Sequence, residues 1–287
     1  MTELTPLYDP RNGQMRVIGF MSRSGTNLRK ILEYQKLFER TDGSSPYAVV
    51  AIFTDTYGIK CKADEIANDY GLPIIRRDLS GFFAARGLKR KNLKKLKDAL
   101  DANPGNTQLL EEYKQQLKIR TEFDMANIRL LGPCGASVAA FAGYMAIATP
   151  PLVRAFLGVN VHPADLSLVD AEGKRKYIGD HAVIDAILAG EKELRASTHR
   201  IEEEVDTGRI FMVSAPLPVV LPPDWNPEDK ALVQKVADEH QDRLKEIGDW
   251  VIFPRTLEDI ARGRFAQDEN CLLYYDGEPV HNGLRLP

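Results

Sequence analysis

The sequence predicts an α/β fold with a doubly wound, mostly parallel sheet, and three observations carry that prediction. Short apolar runs of strand length alternate with segments of helical periodicity, glycine-bearing and small-residue turns separate them, and 44% of the 287 residues are hydrophobic, enough for a sizeable core. Parallel neighbours need a crossover connection, usually a helix, so strand–helix alternation points to a sheet with helices on both faces.

The first apolar run, "MRVIGF" at 15–20, predicts a buried strand and stops at "MSRSGTN". The segment "LRKILEYQKLFE" then sets Leu28, Ile31, Leu32 and Leu37 at roughly helical spacing. "YAVVAIFTD" predicts a second strand, "CKADEIANDYG" a helix closed by Gly71, and "LPIIRR" a third strand. Further along come a strand in "SVAAFAGYM", a helix in "PPLVRAFLG" and the strand "LGVNVH" ending at Pro163. "AVIDAILAG" predicts a helix, "ELRASTHRIEEEVD" and "GRIFMVSAPLPVV" two strands, and Asn226 to Arg262 a mainly helical region broken at "GDWVIFP".

One region departs from this pattern. From about 84 to 131 the chain is polar, and its "NPGN" turn separates two segments with helical periodicity, which predicts a helical-hairpin insertion. The first arm is rich in lysine and arginine, but no stacking aromatics interleave, so a solvated helix face fits better than a nucleic-acid surface. Apart from this insertion the alternation persists, so residues 1–287 are expected to form a single domain. Apolar stripes on both arms leave surface to cover, and a homodimer contact is the expectation.

Composition excludes several classes of partner. With 38 basic and 41 acidic side chains, no global field favours nucleic acid or an anionic membrane. Cys61, Cys134 and Cys271 are far apart and lack metal-ligand spacing, which suits thiols in a reducing compartment, so a cytoplasmic protein with no metal is expected. The N-terminal segment has no apolar signal region, and no run is long enough to span a bilayer.

Three segments carry candidate chemistry. In an extended strand residues two apart share a face, so Asn160 and His162 project side by side where "LGVNVHPADLS" leaves the sheet. They are either a hydrogen-bonded pair in the core or part of a site. The loop Arg23, Ser24, Gly25, Thr26 and Asn27 lies between strand and helix, where backbone N–H groups at a helix N-terminus suit a phosphate; the alternative is an ordinary cap. Asp206 sits in the turn "VDTGR" between two strand-like runs. Asn, His and Asp brought together could polarise a carbonyl, stabilise an oxyanion and manage a proton, as acyl transfer requires.

The segments "SRSGTNL", "FAGYMAIATPPLV", "NVHPADL", "IGDHAVIDAILAG", "STHRIEEEVDTGRIF" and "VIFPRTLEDIARGRF" follow one another in the order of the folate-dependent formyltransferases, which this chain resembles outside the insertion. The resemblance implies a Rossmann-like formyltransferase fold. It implies catalytic Asn160, His162 and Asp206, with Asn160 and a protonated His162 donating to the formyl oxygen of 10-formyl-tetrahydrofolate, the co-substrate. Folate contacts are implied at Met145, Ala146, Ile147, Ala148, Glu204 and Val205, phosphate contacts at residues 23–27, and site support at His181, while His199 is expected to support its strand.

The implied acceptor is a small phosphorylated amine, glycinamide ribonucleotide, which makes the reaction a step of purine biosynthesis. A different amine acceptor, hydrolysis of the same folate, and a silent folate or nucleotide sensor stay open as alternatives. Two departures bear on the acceptor: Arg23 stands where the family prefers glycine, and the connection Ala164–Ile178 is longer than the family's. Room for an N-terminal regulatory domain or a C-terminal tRNA-binding barrel is not expected.

Overall fold

The computed structural model describes residues 3–58 and 60–287. The chain folds into two compact units, one from Met1–Met15, Asn27–Ala48 and Gly158–Pro287, the other from Arg16–Thr26 and Val49–Leu157.

The second of these is built on the strands Val138–Phe141, Met15–Met21, Tyr47–Thr54 and Ile74–Arg76, in that spatial order. Val138–Phe141 pairs in parallel with Val17–Phe20, and Ile52–Thr54 pairs in parallel with Ile74–Arg76. These strands are apolar on both faces because both faces are covered. Phe20 stacks on Phe141 at 4.9 Å between ring centroids and meets Phe53 at 4.8 Å, while Phe123 reaches Phe53 from the helix Thr107–Leu131. The helix Ala63–Tyr70 ends at Gly71, whose left-handed φ of 65° suits a residue without Cβ.

The expected helical hairpin is present, as Leu93–Ala102 and Thr107–Leu131. Asn92 accepts from Lys95 N and Asn106 from Leu109 N, so each arm begins with a side-chain cap. Gln116 stitches the hairpin to its approach by donating to Lys89 O and accepting from Lys91 N. Past Gln116 the long helix is a core element, burying Ile119, Arg120, Phe123, Asp124, Asn127 and Leu131.

In the other unit, Leu284–Arg285, Ile210–Val213, Ser197–Arg200 and Leu157–His162 lie side by side in that order. Leu284–Arg285 runs parallel to its neighbour, but the remaining pairs are antiparallel, with Asn160 opposite His199 and His162 opposite Ser197. Around them lie the helices Thr26–Thr41, Ala182–Leu188, Lys230–Leu244 and Trp250–Ala261. A small antiparallel sheet of Thr5–Pro6, Phe265–Gln267, Leu273–Tyr275 and Glu278–Pro279 completes the unit.

Three local expectations are corrected. The helical region is not broken at 248–254: Lys245–Asp249 forms a π-helical turn that leads directly into Trp250–Ala261, with Pro254 in its first turns. The segment 193–206 is not one strand: only Glu193–Leu194 and Ser197–Arg200 pair. Leu37, placed on the apolar stripe of its helix, is 52% exposed. Among the described residues no helix is long and apolar enough to cross a membrane.

Candidate active site

Asn160 and His162 reach the end of their strand on one face, as residues two apart must. The strand opposite brings His199 level with Asn160, and the following turn carries Asp206 back towards both rings. Asp206 Oδ2 lies 3.5 Å from His162 Nδ1, and its Oδ1 lies 3.5 Å from His199 Nε2. Asn160 Nδ2 donates to His199 Nε2 at 3.2 Å. His199 Nδ1 donates to Arg200 O at 2.9 Å, which orients the ring with Nε2 towards Asp206 and Asn160.

The electrostatics of this group follow from burial and proximity. Burial by itself raises the Asp206 carboxyl, but hydrogen bonding to His199, the His162 and His199 charges and the Gly179 N–H outweigh it and hold the group well below its ordinary range. His162 moves down, because burial disfavours the imidazolium more than the Asp206 charge favours it. Its Nε2–H donates to Tyr177 O at 2.9 Å. This differs from the expectation of a protonated His162 pointing a free N–H at substrate: the neutral form is favoured, and a formyl oxygen would have to take the place of the Tyr177 carbonyl.

The connection after this strand closes on itself through a Val169–Arg175 bridge, and Asp170 accepts from Glu172 N and Lys174 N. Arg175 and Gly179 then contact the Asp206 turn. His181 is exposed at the start of the helix Ala182–Leu188, so the second imidazole facing Asp206 belongs to His199. Glu204 is exposed and Val205 half-buried in the turn leading to Asp206.

The loop Arg23–Asn27 opens the helix Thr26–Thr41 with Arg23, Ser24 and Thr26 exposed. Gly25 has φ 65°, and a Cβ there would sit 2.6 Å from both Ile66 Cδ1 and Met21 Cε. The left-handed conformation therefore favours glycine, and a Cβ would have to displace the flexible ends of Ile66 and Met21. Asn27 Nδ2 donates to Asp249 Oδ2 at 3.2 Å, while Asn27 Oδ1, Asp249 Oδ1 and Trp250 Nε1 are buried without a hydrogen-bond partner among the described residues. Burial lifts the Asp249 carboxyl to about 6. Asp249 gave no signal in the sequence because its place in a π-helical turn depends on tertiary packing.

In the other unit the segment 142–149 is held at both ends. Ser22 Oγ donates to Asp55 at 2.6 Å and accepts from Met145 N at 3.1 Å. Asp124 Oδ2 accepts from Thr149 N at 2.9 Å and Thr149 Oγ1 at 2.8 Å. Arg120, buried, pairs with Asp124 and donates to Tyr144 Oη. Between these anchors Ala146–Ala148 adopt neither helix nor strand, with Met145 exposed at one side. Arg120 and Asp124 were hidden in the sequence as two charges of a polar helix. Among the described residues no group of three or more His, Cys, Asp or Glu side chains is arranged to hold a metal.

Comparison with known proteins gives a consistent result. The family model described as formyl transferase matches residues 15–245, more than half of the chain. The chain is 33% identical over 146 residues to trifunctional purine biosynthetic protein adenosine-3 of Drosophila melanogaster, covering 50% of this chain and 9% of that protein. It is 32% identical over 141 residues to phosphoribosylglycinamide formyltransferase of Haemophilus influenzae, covering 48% of this chain and 56% of that one. The match therefore spans about half or less of these curated relatives. The solved phosphoribosylglycinamide formyltransferase of Coxiella burnetii superposes with a TM-score of 0.59 at 19% identity, over 96% of this chain and 100% of that chain, which shows a common fold.

Proposed function

The chain belongs to the formyl transferase family, and from that premise we propose that it transfers a formyl group from 10-formyl-tetrahydrofolate to the amine of glycinamide ribonucleotide, a step of purine biosynthesis. The family implies a folate-derived donor; the particular folate and acceptor are our reading. One observation carries it: the buried Asp206 carboxylate lies 3.5 Å from both His162 and His199, with Asn160 alongside.

The chemistry asked of these residues is limited. The acceptor nitrogen attacks the formyl carbon, negative charge grows on the formyl oxygen, one N–H proton leaves the attacking amine, and the folate nitrogen gains a proton as it departs. Asn160 offers an N–H to the developing oxyanion. Asp206, ionised between His162 and His199, can help route the proton from the attacking amine to the leaving folate nitrogen, and its charge stabilises the imidazolium form of His162 as that proton passes. Each oxyanion donor of this kind is worth about 100- to 1000-fold in rate.

Substrate binding is assigned on the same basis. The N–H groups of Ser24–Asn27 at a helix N-terminus suit the acceptor phosphate, and Arg23 adds charge. The irregular backbone of Ala146–Ala148 suits the hydrogen-bonding edge of a pterin.

The test is His162→Ala. Formyl transfer should fall by at least about 100-fold while the dissociation constant for the folate stays within a few-fold, because the lost interaction acts in the transition state. Wild-type turnover in that variant would remove His162 from the reaction.

A further inference from the structure

We propose that Arg175 is a positioning residue for formyl transfer: its guanidinium holds the turn Asp206–Thr207–Gly208 in the shape that presents the Asp206 carboxylate to His162 and His199. The proposal rests on the formyl-transfer reading above. Asp206 has φ 55°, a left-handed conformation that a non-glycine residue keeps only when its surroundings hold it. At Gly208 a Cβ would lie 1.9 Å from Arg200 O, so the turn is pressed against the Ser197–Arg200 strand and no larger residue fits. Arg175 supplies the remaining constraint: Nη1 donates to Asp206 O and Nη2 to Gly208 O, the latter at 2.8 Å. A guanidinium is a rigid planar fork, so it fixes the spacing of two carbonyls in a way a lysine ammonium does not.

The same stretch of chain continues the grip. Two residues on, Tyr177 O accepts from His162 Nε2, and two further on Gly179 N donates to Asp206 Oδ2 at 2.8 Å. Arg175 is also where the long connection closes, through its bridge to Val169. The extra length seen in the sequence thus delivers a cation to the backbone of the candidate catalytic acid. The titratable and charged groups around His162 are Asp206, His199 and Arg175, and Glu202 acts on Arg175 in turn. Asp206 favours the imidazolium form of His162 more strongly than Arg175 opposes it, so withdrawal of the carboxylate has an electrostatic signature as well as a mechanical one.

The test uses the full chain as Arg175→Ala and Arg175→Lys, with Lys174→Ala, an exposed cation of the same connection, as control. Steady-state kinetics are read together with the titration of the His162 and His199 imidazoles by NMR, which needs no activity. In Arg175→Ala, kcat should fall about 10- to 100-fold with both KM values within about threefold. His162 should titrate at lower pH than in the wild type, because withdrawal of the Asp206 carboxylate outweighs loss of the opposing Arg175 charge, and added ethylguanidinium should restore part of kcat. Arg175→Lys should lie between, and it decides the matter should the alanine variant not fold; Lys174→Ala should match the wild type.

A folded Arg175 variant with wild-type kcat and an unchanged His162 titration overturns the proposal. So does one that loses kcat with neither a lowered titration nor rescue, since Arg175 would then be scaffold alone. If the wild type transfers no formyl group while Arg175→Ala still lowers the His162 titration, the clamp on Asp206 stands and the functional reading fails.

Discussion

His162 and Asp249 are both buried titratable groups, and burial moves them in opposite directions because one is charged when protonated and the other when deprotonated. For Asp249 the folded carboxyl sits at about 6, above its unfolded value of 3.8. A raised value means that the stability it contributes is complete below the unfolded value and is lost as pH rises through about 6. Asp249→Asn should therefore raise the melting temperature most at pH 8, by up to about 3 kcal/mol of stability, with the gain vanishing towards pH 4. A gain independent of pH would show that the Asp249 carboxyl is not raised in the fold. Asp206 has the opposite sign: its depressed carboxyl stabilises the fold above the unfolded value and ceases to do so in acid. The pair Asn160 and His162 was legible because alternation in a strand is local. His199 was not, since its place beside Asp206 depends on the cross-strand register Asn160–His199 and on the return of the turn.

At the scale of elements, the strand-to-helix loop at Gly25 was legible from residue type and position, and the side chains of Ile66 and Met21 that close over it were not. Gly25→Ala forces a Cβ towards Ile66 and Met21 and disturbs the N–H groups at the helix start. The account predicts a rise of about tenfold or more in the acceptor KM, from one or two weakened bonds to phosphate, with the folate KM nearly unchanged and kcat retained at saturating acceptor. Equal loss for both substrates would mean that Gly25 serves the fold only. The hairpin separates along its length: its outer part is solvated, whereas Arg120 and Asp124 hold Tyr144 and Thr149. Replacing residues 93–112 by a short Gly/Ser linker should keep transfer within about threefold, and Asp124→Ala should cost far more. Light scattering on the same linker variant tests the homodimer expectation, which an unchanged mass would remove.

At the scale of the molecule, the alternation of strands and helices was legible because each strand is an apolar run and each helix carries a 3.6-residue stripe. The small sheet formed by Thr5–Pro6, Phe265–Gln267, Leu273–Tyr275 and Glu278–Pro279 was not, because two- and three-residue strands are too short to show a period. The π-helical turn was read as a break for a similar reason: glycine, a proline and an apolar run are punctuation locally, and only packing shows the helix continuing. Family membership and the grouping of Asn160, His162, Asp206 and His199 support the proposed reaction, and Arg23 and the long connection bear on its acceptor. The most direct measurement incubates the full chain with 10-formyl-tetrahydrofolate and, separately, glycinamide ribonucleotide, other phosphorylated amines, or buffer alone, and identifies products by mass. The account predicts formylated glycinamide ribonucleotide formed one for one with the folate released, and little release in buffer; equal release in buffer with no formylated amine would contradict it.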